Sequence, residues 1–240
     1  MDISASTPVV TGAGRGLGSH LVDGLLDRGT RKVYALARDP STVRQDRRVI
    51  PVRLDLRDPD TIGEAARAAA DATLLINNAS TAVFSTPLEA DLDAVRTELE
   101  VNFEGLYRTI RAFVPVIEAN GGGQIVNVLS LLSLASTPPM AGYSASKVAA
   151  HSLTQALRPV LAAKGITVHG VYPGGIDTDM LAGVDAPKSP PAQVAGGILS
   201  GLAADHEDIF PDPNSQAMSQ VWWSDPKSFE RAFSGVATGA

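Results

Sequence analysis

The chain has 240 residues, 44% of them hydrophobic, which is enough to bury one large α/β core. Its formal net charge of -6 and pI near 5.2 argue against nucleic acid or an anionic membrane as partner and for a small molecule. There is no apolar run of about 18 residues and no signal-peptide pattern, so a cytoplasmic location is expected; with no cysteine, and with His20, His151, His169 and His206 lacking ligand spacing, no metal is expected.

Pro8–Thr11 is an apolar strand that runs into Gly12-Ala-Gly14-Arg15-Gly16-Leu17-Gly18, and from Ser19 to Arg28 the leucines have helical spacing. A strand, glycine turn and helix in that order let a pyrophosphate approach backbone amides at a helix N-terminus. A flexible turn is the plainer alternative. Lys32–Ala37 is the second strand, whose end faces an adenosine ribose in a dinucleotide fold. Ala37 then Arg38 favours a ribose phosphate there, with Arg15 closing from the other side, unless both arginines are merely solvated. Arg48–Leu54 is the third strand, and Asp55, with Leu56 after it, is placed to accept a bond from the adenine amino group.

Thr61–Ala70 is helical, and Thr73–Ile76 is a buried strand that ends in Asn77-Asn78-Ala79-Ser80. The two asparagines are expected to knit neighbouring strands while Ala79 leaves room for a ligand. A long helix from about Leu88 to Ala119 carries Asn102, and Gly121–Gly123 stop it. Gln124–Leu129 is the fifth strand, with Ser130 at its end. In the next helix, to about Lys164, Tyr143 and Lys147 stand at i and i+4, where an ammonium draws a phenol pKa down toward working pH. A solvated face shared by the two is the bland alternative. Gly165–Val171 is the sixth strand and leads into a turn at Pro173, Gly174 and Gly175.

The ordered set resembles the short-chain dehydrogenase/reductase family from residue 7 to about 180. It comprises the glycine turn, Asn77-Asn78-Ala79, Asn102, Ser130, Tyr143 with Lys147, and Pro173-Gly174 with Thr178. The resemblance implies a Rossmann-fold doubly wound parallel sheet of about seven strands, helices on both faces, in one domain spanning 1–240. It implies catalysis by Asn102, Ser130, Tyr143 and Lys147. Tyr143 would donate a proton to a carbonyl oxygen held by Ser130, Lys147 would bind the nicotinamide ribose, and Asn102 would hold a relay water. Ile176 and Thr178 would hold the carboxamide. The cofactor expected is NADP(H), with NAD(H) the alternative, and the reaction expected is reduction of a ketone, aldehyde or β-ketoacyl group. An NAD-linked alcohol or sugar dehydrogenase is the rival enzyme, and a non-catalytic nucleotide sensor the rival from another class.

Three positions depart from the family pattern: Leu129 before Ser130, Ser80 in place of glycine, and a tail without the usual glycine-rich final strand. The tail instead offers a helix over Pro191–Ala204, a short strand candidate at Asp208–Pro211, and a polar stretch containing Trp222, Trp223 and Phe229. A homodimer through the two long helices is therefore expected, a tetramer being the alternative. The segment Leu181–Ser189 is short for a lid, which suggests an open pocket lined by Leu132, Met140, Gly175 and Met180.

Overall fold

Seven strands, all parallel, form one sheet in the order β3-β2-β1-β4-β5-β6-β7 in the computed structural model, which describes residues 2–235. They are β1 (Pro8–Thr11), β2 (Val33–Ala37), β3 (Val49–Arg53), β4 (Leu74–Asn77), β5 (Gly123–Val128), β6 (Ile166–Val171) and β7 (Asp208–Ile209). The inner strands read as continuous apolar runs because helices cover both faces. Side chains alternate: Val9, Leu75 and Ile125 enter one core layer, while Val10, Ile76 and Val126 enter the other.

On one face pack α1 (Gly16–Asp27) and α6 (Pro191–Ala203), through Leu21, Leu25, Ile198 and Leu199. Gly24 permits their close approach, since a Cβ there would lie 2.8 Å from Leu199 Cδ1. The opposite face carries α2 (Pro59–Ala68), α4 (Leu106–Ala119) and α5 (Ala141–Ala162), through Ile62, Ile110, Phe113 and Leu161. After β3 the chain crosses back to place β4 beside β1, so the carboxyl ends of these two strands flank the topological switch point where such sheets bind ligands.

Three expectations need correction. The long helix begins at Leu92, not Leu88: α3 (Leu92–Leu99), capped by Asp91, widens into a π-helical turn over Glu100–Gly105 before α4. The seventh strand is only two residues long, because Pro211 cannot donate to a ladder. The polar tail is two helices, α7 (Pro213–Ser224) and α8 (Pro226–Ser234), each opened by an aspartate cap followed by proline. Phe229 of α8 is fully buried in the main core, and Trp222 packs against that core while Trp223 is exposed. No helix among the described residues is long and apolar enough to cross a membrane.

Candidate active site

The glycine turn sits where the strand order reverses. Gly12 and Gly16 take positive φ, 67° and 55°, which glycine alone adopts readily. A Cβ on Gly12 would come 2.9 Å from Ala79 Cα, and one on Gly18 would come 2.1 Å from the Gly12 carbonyl oxygen. No side chain caps the first turn of α1, so its amides remain for an anion. Asn78 Nδ2 donates to the Thr11 carbonyl at 2.9 Å, and Thr11 Oγ1 accepts from the amides of Asn78 and Ala79, each at 3.0 Å. These bonds fix the turn against the end of β4. Asn77 Nδ2 meets Asn127 Oδ1 at 2.9 Å, and Asn127 Nδ2 reaches Thr154 Oγ1 at 3.0 Å, so a buried amide ladder joins β4, β5 and α5.

At the end of β2, Arg38 is exposed and makes no ion pair among the described residues. Asp39 is turned away from it: the carboxylate caps the short turn Pro40–Thr42 through Ser41, whose hydroxyl and amide hold its pKa below the usual range. Arg15 makes an ion pair. Its Nη1 lies 3.4 Å from Asp179 Oδ2, an exposed pair of little energetic worth. Asp55 is partly engaged as well, since its Oδ1 accepts the Arg57 amide at 3.0 Å; buried Leu56 packs where Gly105 lacks a side chain.

Ser130 follows β5, and its Oγ accepts the Leu132 amide at 3.1 Å, so its hydroxyl proton points away from that bond, toward Tyr143. Tyr143, buried in the first turn of α5, faces the hydroxyls of Ser130 and Ser80. Lys147 is buried too. Its Nζ donates to the Val128 carbonyl at 2.8 Å and lies 5.6 Å from the Tyr143 ring centre. Burial pushes the phenol up to about 12, partly offset by bonding to Ser130 and Ser80, and pushes Lys147 down to about 8. This corrects the expectation drawn from the i, i+4 spacing, in which the ammonium brings the phenol down. Desolvation is the larger effect on both groups.

Asn102 lies in the π-helical turn with all its side-chain capacity used. Nδ2 donates to the Thr81 carbonyl (2.8 Å) and to Ser146 Oγ (2.9 Å), while Oδ1 accepts from Ser80 Oγ (3.1 Å) and the Thr81 amide (2.9 Å). A relay water at this residue is therefore left the main-chain carbonyl, not the amide.

The turn after β6 closes the other side. Leu131 N donates to the Pro173 carbonyl at 3.1 Å, and Gly174 N donates to Asp212 Oδ2 at 2.9 Å. Ile176 bridges Ser189, which ties the two ends of the loop between them together. Thr178 lies over the glycine turn, with its Cγ2 3.4 Å from where a Cβ on Gly16 would stand. Of the expected lining residues, Leu132 and Met140 flank Ser130 and Tyr143 in the chain, Met180 is exposed, and Gly175 is backed by the Pro187 carbonyl. Glu98, Asn127, Ser146 and Asp212 support this arrangement as well, and Ser80, the departure from the family glycine, faces Tyr143. Asn127 within an apolar strand and the Asp212-Pro-Asn-Ser215 capping pattern were visible signals.

A model of the short chain dehydrogenase family matches residues 6–189. The chain belongs to that family. A short chain dehydrogenase from Burkholderia cenocepacia, solved in complex with NADP, is 37% identical, with a TM-score of 0.92 over 97% of this chain and 99% of its own. An uncharacterised oxidoreductase from Staphylococcus saprophyticus is 29% identical over 84% of this chain and 93% of its own length. A putative NAD(P)-dependent gluconate 5-dehydrogenase from Beutenbergia cavernae, with bound NADP, has a TM-score of 0.80 at 26% identity, over 90% of this chain and all of its own. This short-chain dehydrogenase is thus an oxidoreductase of the NAD(P)-dependent kind. The cradle at Gly12, where a side chain would strike Ala79, and the uncapped first turn of α1 fit a dinucleotide.

Proposed function

We propose that the protein is an NADPH-preferring carbonyl reductase acting on ketones, aldehydes or β-ketoacyl groups. The observation that carries this reading is the meeting of Tyr143, Ser130 and Lys147 at the carboxyl end of β5, beside the glycine turn. A bound nicotinamide dinucleotide supplies the hydride. The free amides of α1 bind its pyrophosphate, and exposed Arg38, with Asp39 held away by Ser41, binds a ribose phosphate. Lys147 binds the ribose near the reacting ring. Ser130, its proton directed away from the Leu132 amide, holds the substrate oxygen and stabilises the charge that develops there. Tyr143, kept protonated by burial, gives that oxygen its proton.

Val83 and Phe84 are exposed on the loop tied to Pro139, which suits carbonyl compounds with apolar substituents. A second copy is expected to pack over α4 and α5, where Tyr107, Val148 and Val160 are exposed. The test is a panel of diketones, aldehydes, β-ketoacyl thioesters, alcohols and sugar acids including gluconate, run with NADPH and NADH. Turnover of carbonyl compounds with NADPH supports the reading. Equal cofactor consumption by the wild type and Tyr143→Phe overturns the catalytic assignment, and a clear preference for NADH overturns the role given to Arg38.

A further inference from the structure

Glu98, on α3, is one of the few carboxylates sealed in the interior, and the reaction scheme above does not use it. It stands four residues before Asn102 and grips the same loop. Asn102 bonds both the amide and the carbonyl of Thr81, while Glu98 Oε1 accepts the Val83 amide at 2.7 Å. The loop then reaches the entrance of α5, where Ser85 N donates to the Pro139 carbonyl at 2.9 Å. The other carboxylate oxygen of Glu98 packs on Gly142, the residue before Tyr143: a Cβ there would stand 2.2 Å from Glu98 Oε2. No side chain caps the start of α5, and a negative charge beside a helix N-terminus is favourable.

We infer that Glu98 is a positioning residue for Tyr143: its buried carboxylate clamps the loop 81–85 to the first turn of α5, where Tyr143 stands. The inference rests on the carbonyl-reductase reading above. The groups facing Tyr143 are Glu98 from α3, Lys147 from its own helix, and the hydroxyls of Ser80 and Ser130 from the ends of β4 and β5. Glu98 acts on Tyr143 through its charge, which opposes formation of a phenolate, as well as through packing. Burial in turn pushes its own pKa above the usual carboxylate value, the bond from Val83 opposing this in part.

Glu98→Gln separates the two actions, because the amide oxygen still accepts from Val83 while the charge is gone. The expected result is a shift of the alkaline limb of kcat/KM for carbonyl reduction to lower pH by about half a unit or more, with the plateau changed less than about threefold. A pH profile superimposable on wild type, in a variant that still turns over, overturns the inference. A second readout needs neither the variant nor turnover. In wild-type protein carrying 13Cζ tyrosine, with the Tyr143 signal assigned by Tyr143→Phe, that signal is expected to step as Glu98 ionises, above the ordinary carboxylate range. Absence of the step overturns the inference. Activity left unaltered by Tyr143→Phe would instead overturn the carbonyl-reductase assignment itself.

Discussion

Ser80 Oγ donates to Asn102 Oδ1 at 3.1 Å, and through Ser80 this bond joins the Tyr143 phenol to the π-helical turn. From Asn102 the path continues through Ser146 Oγ at 2.9 Å to the Tyr143 carbonyl at 2.7 Å, so one tyrosine is held at its hydroxyl end and at its backbone. With the phenol protonated, Ser80 keeps its own proton and donates it in a hydrogen bond to Asn102 Oδ1. When a phenolate forms, the serine hydroxyl can rotate to donate to it, and the Thr81 amide keeps Asn102 Oδ1 satisfied.

Ser80→Ala should raise the pKa of Tyr143, since bonding to Ser80 favours the ionised phenol. A hydrogen bond to a charged group is worth about 1.5–3 kcal/mol, so a rise on the order of one unit is expected, in the direction opposite to Glu98→Gln. The alkaline limb of reduction would move to higher pH, and oxidation of an alcohol would need more alkaline solution. Rate profiles in both directions, carried above pH 10 toward the phenol pKa of about 12, measure this, and an unmoved limb would mean that Ser80 serves packing alone.

Tyr143→Phe removes the hydroxyl proposed as proton donor while preserving ring volume in a buried position. The loss expected in kcat is about 10²–10⁴-fold, with cofactor affinity, followed by nicotinamide fluorescence, within a few-fold of wild type.

The fold was legible where its causes are local. Continuous apolar strands, glycines that must take positive φ, and the Tyr143–Lys147 spacing within one helix all follow from neighbours in the chain. Ser80 was legible only as a departure from the family glycine, because its partners Asn102 and Tyr143 arrive from two distant helices. The direction of the phenol pKa is hidden for a similar reason: i, i+4 spacing shows the ammonium but not the depth of burial that outweighs it. The tail was read as polar because α7 and α8 expose most of their surface. Even so, Asp212-Pro213 and Asp225-Pro226 carried helix-start signals, and Phe229 was the anchor.

Arg38→Ser should weaken NADPH binding by about 10–100-fold and leave NADH within about threefold, because a guanidinium fork matches phosphate oxygens and a ribose hydroxyl does not need it. Arg15→Ser, which breaks only an exposed pair with Asp179, should have the smaller effect. Dissociation constants for both cofactors check the pair of variants.

Lys147 makes stability depend on pH in a defined window. Its pKa is pushed from the ordinary 10.5 down to about 8 by burial, so between these values the unfolded chain binds more protons and stability rises with pH. Below pH 8 the buried ammonium costs the fold roughly 3 kcal/mol. Lys147→Met should therefore be more stable than wild type at pH 7 and lose that advantage as pH approaches 10. Tyr143, whose folded pKa is raised, lowers stability only above its unfolded pKa of 10 and so leaves the window clear. Thermal melting of both proteins from pH 7 to 10 tests the sign. The same variant should bind either cofactor more weakly if Lys147 holds the ribose.

Asp212 joins the tail to the crevice. One carboxylate oxygen accepts the Ser215 amide in the capping box of α7, and the other accepts the Gly174 amide, both at 2.9 Å, in a position 1% exposed. Asp212→Ala removes both acceptors, so a loss of about 1–3 kcal/mol is expected, which lowers Tm by about 2–4 °C per kcal/mol for a chain of this length. Because Gly174 leads directly to Ile176 and Thr178, loosening it should also raise KM for the cofactor about five- to tenfold while kcat changes little. Asp212→Asn keeps one acceptor oxygen and should recover part of both losses. If Asp212→Ala melts earlier but leaves KM for the cofactor unchanged, Asp212 serves the tail alone, and the turn at Pro173 and Gly174 holds its shape through the Leu131 bond without help from α7.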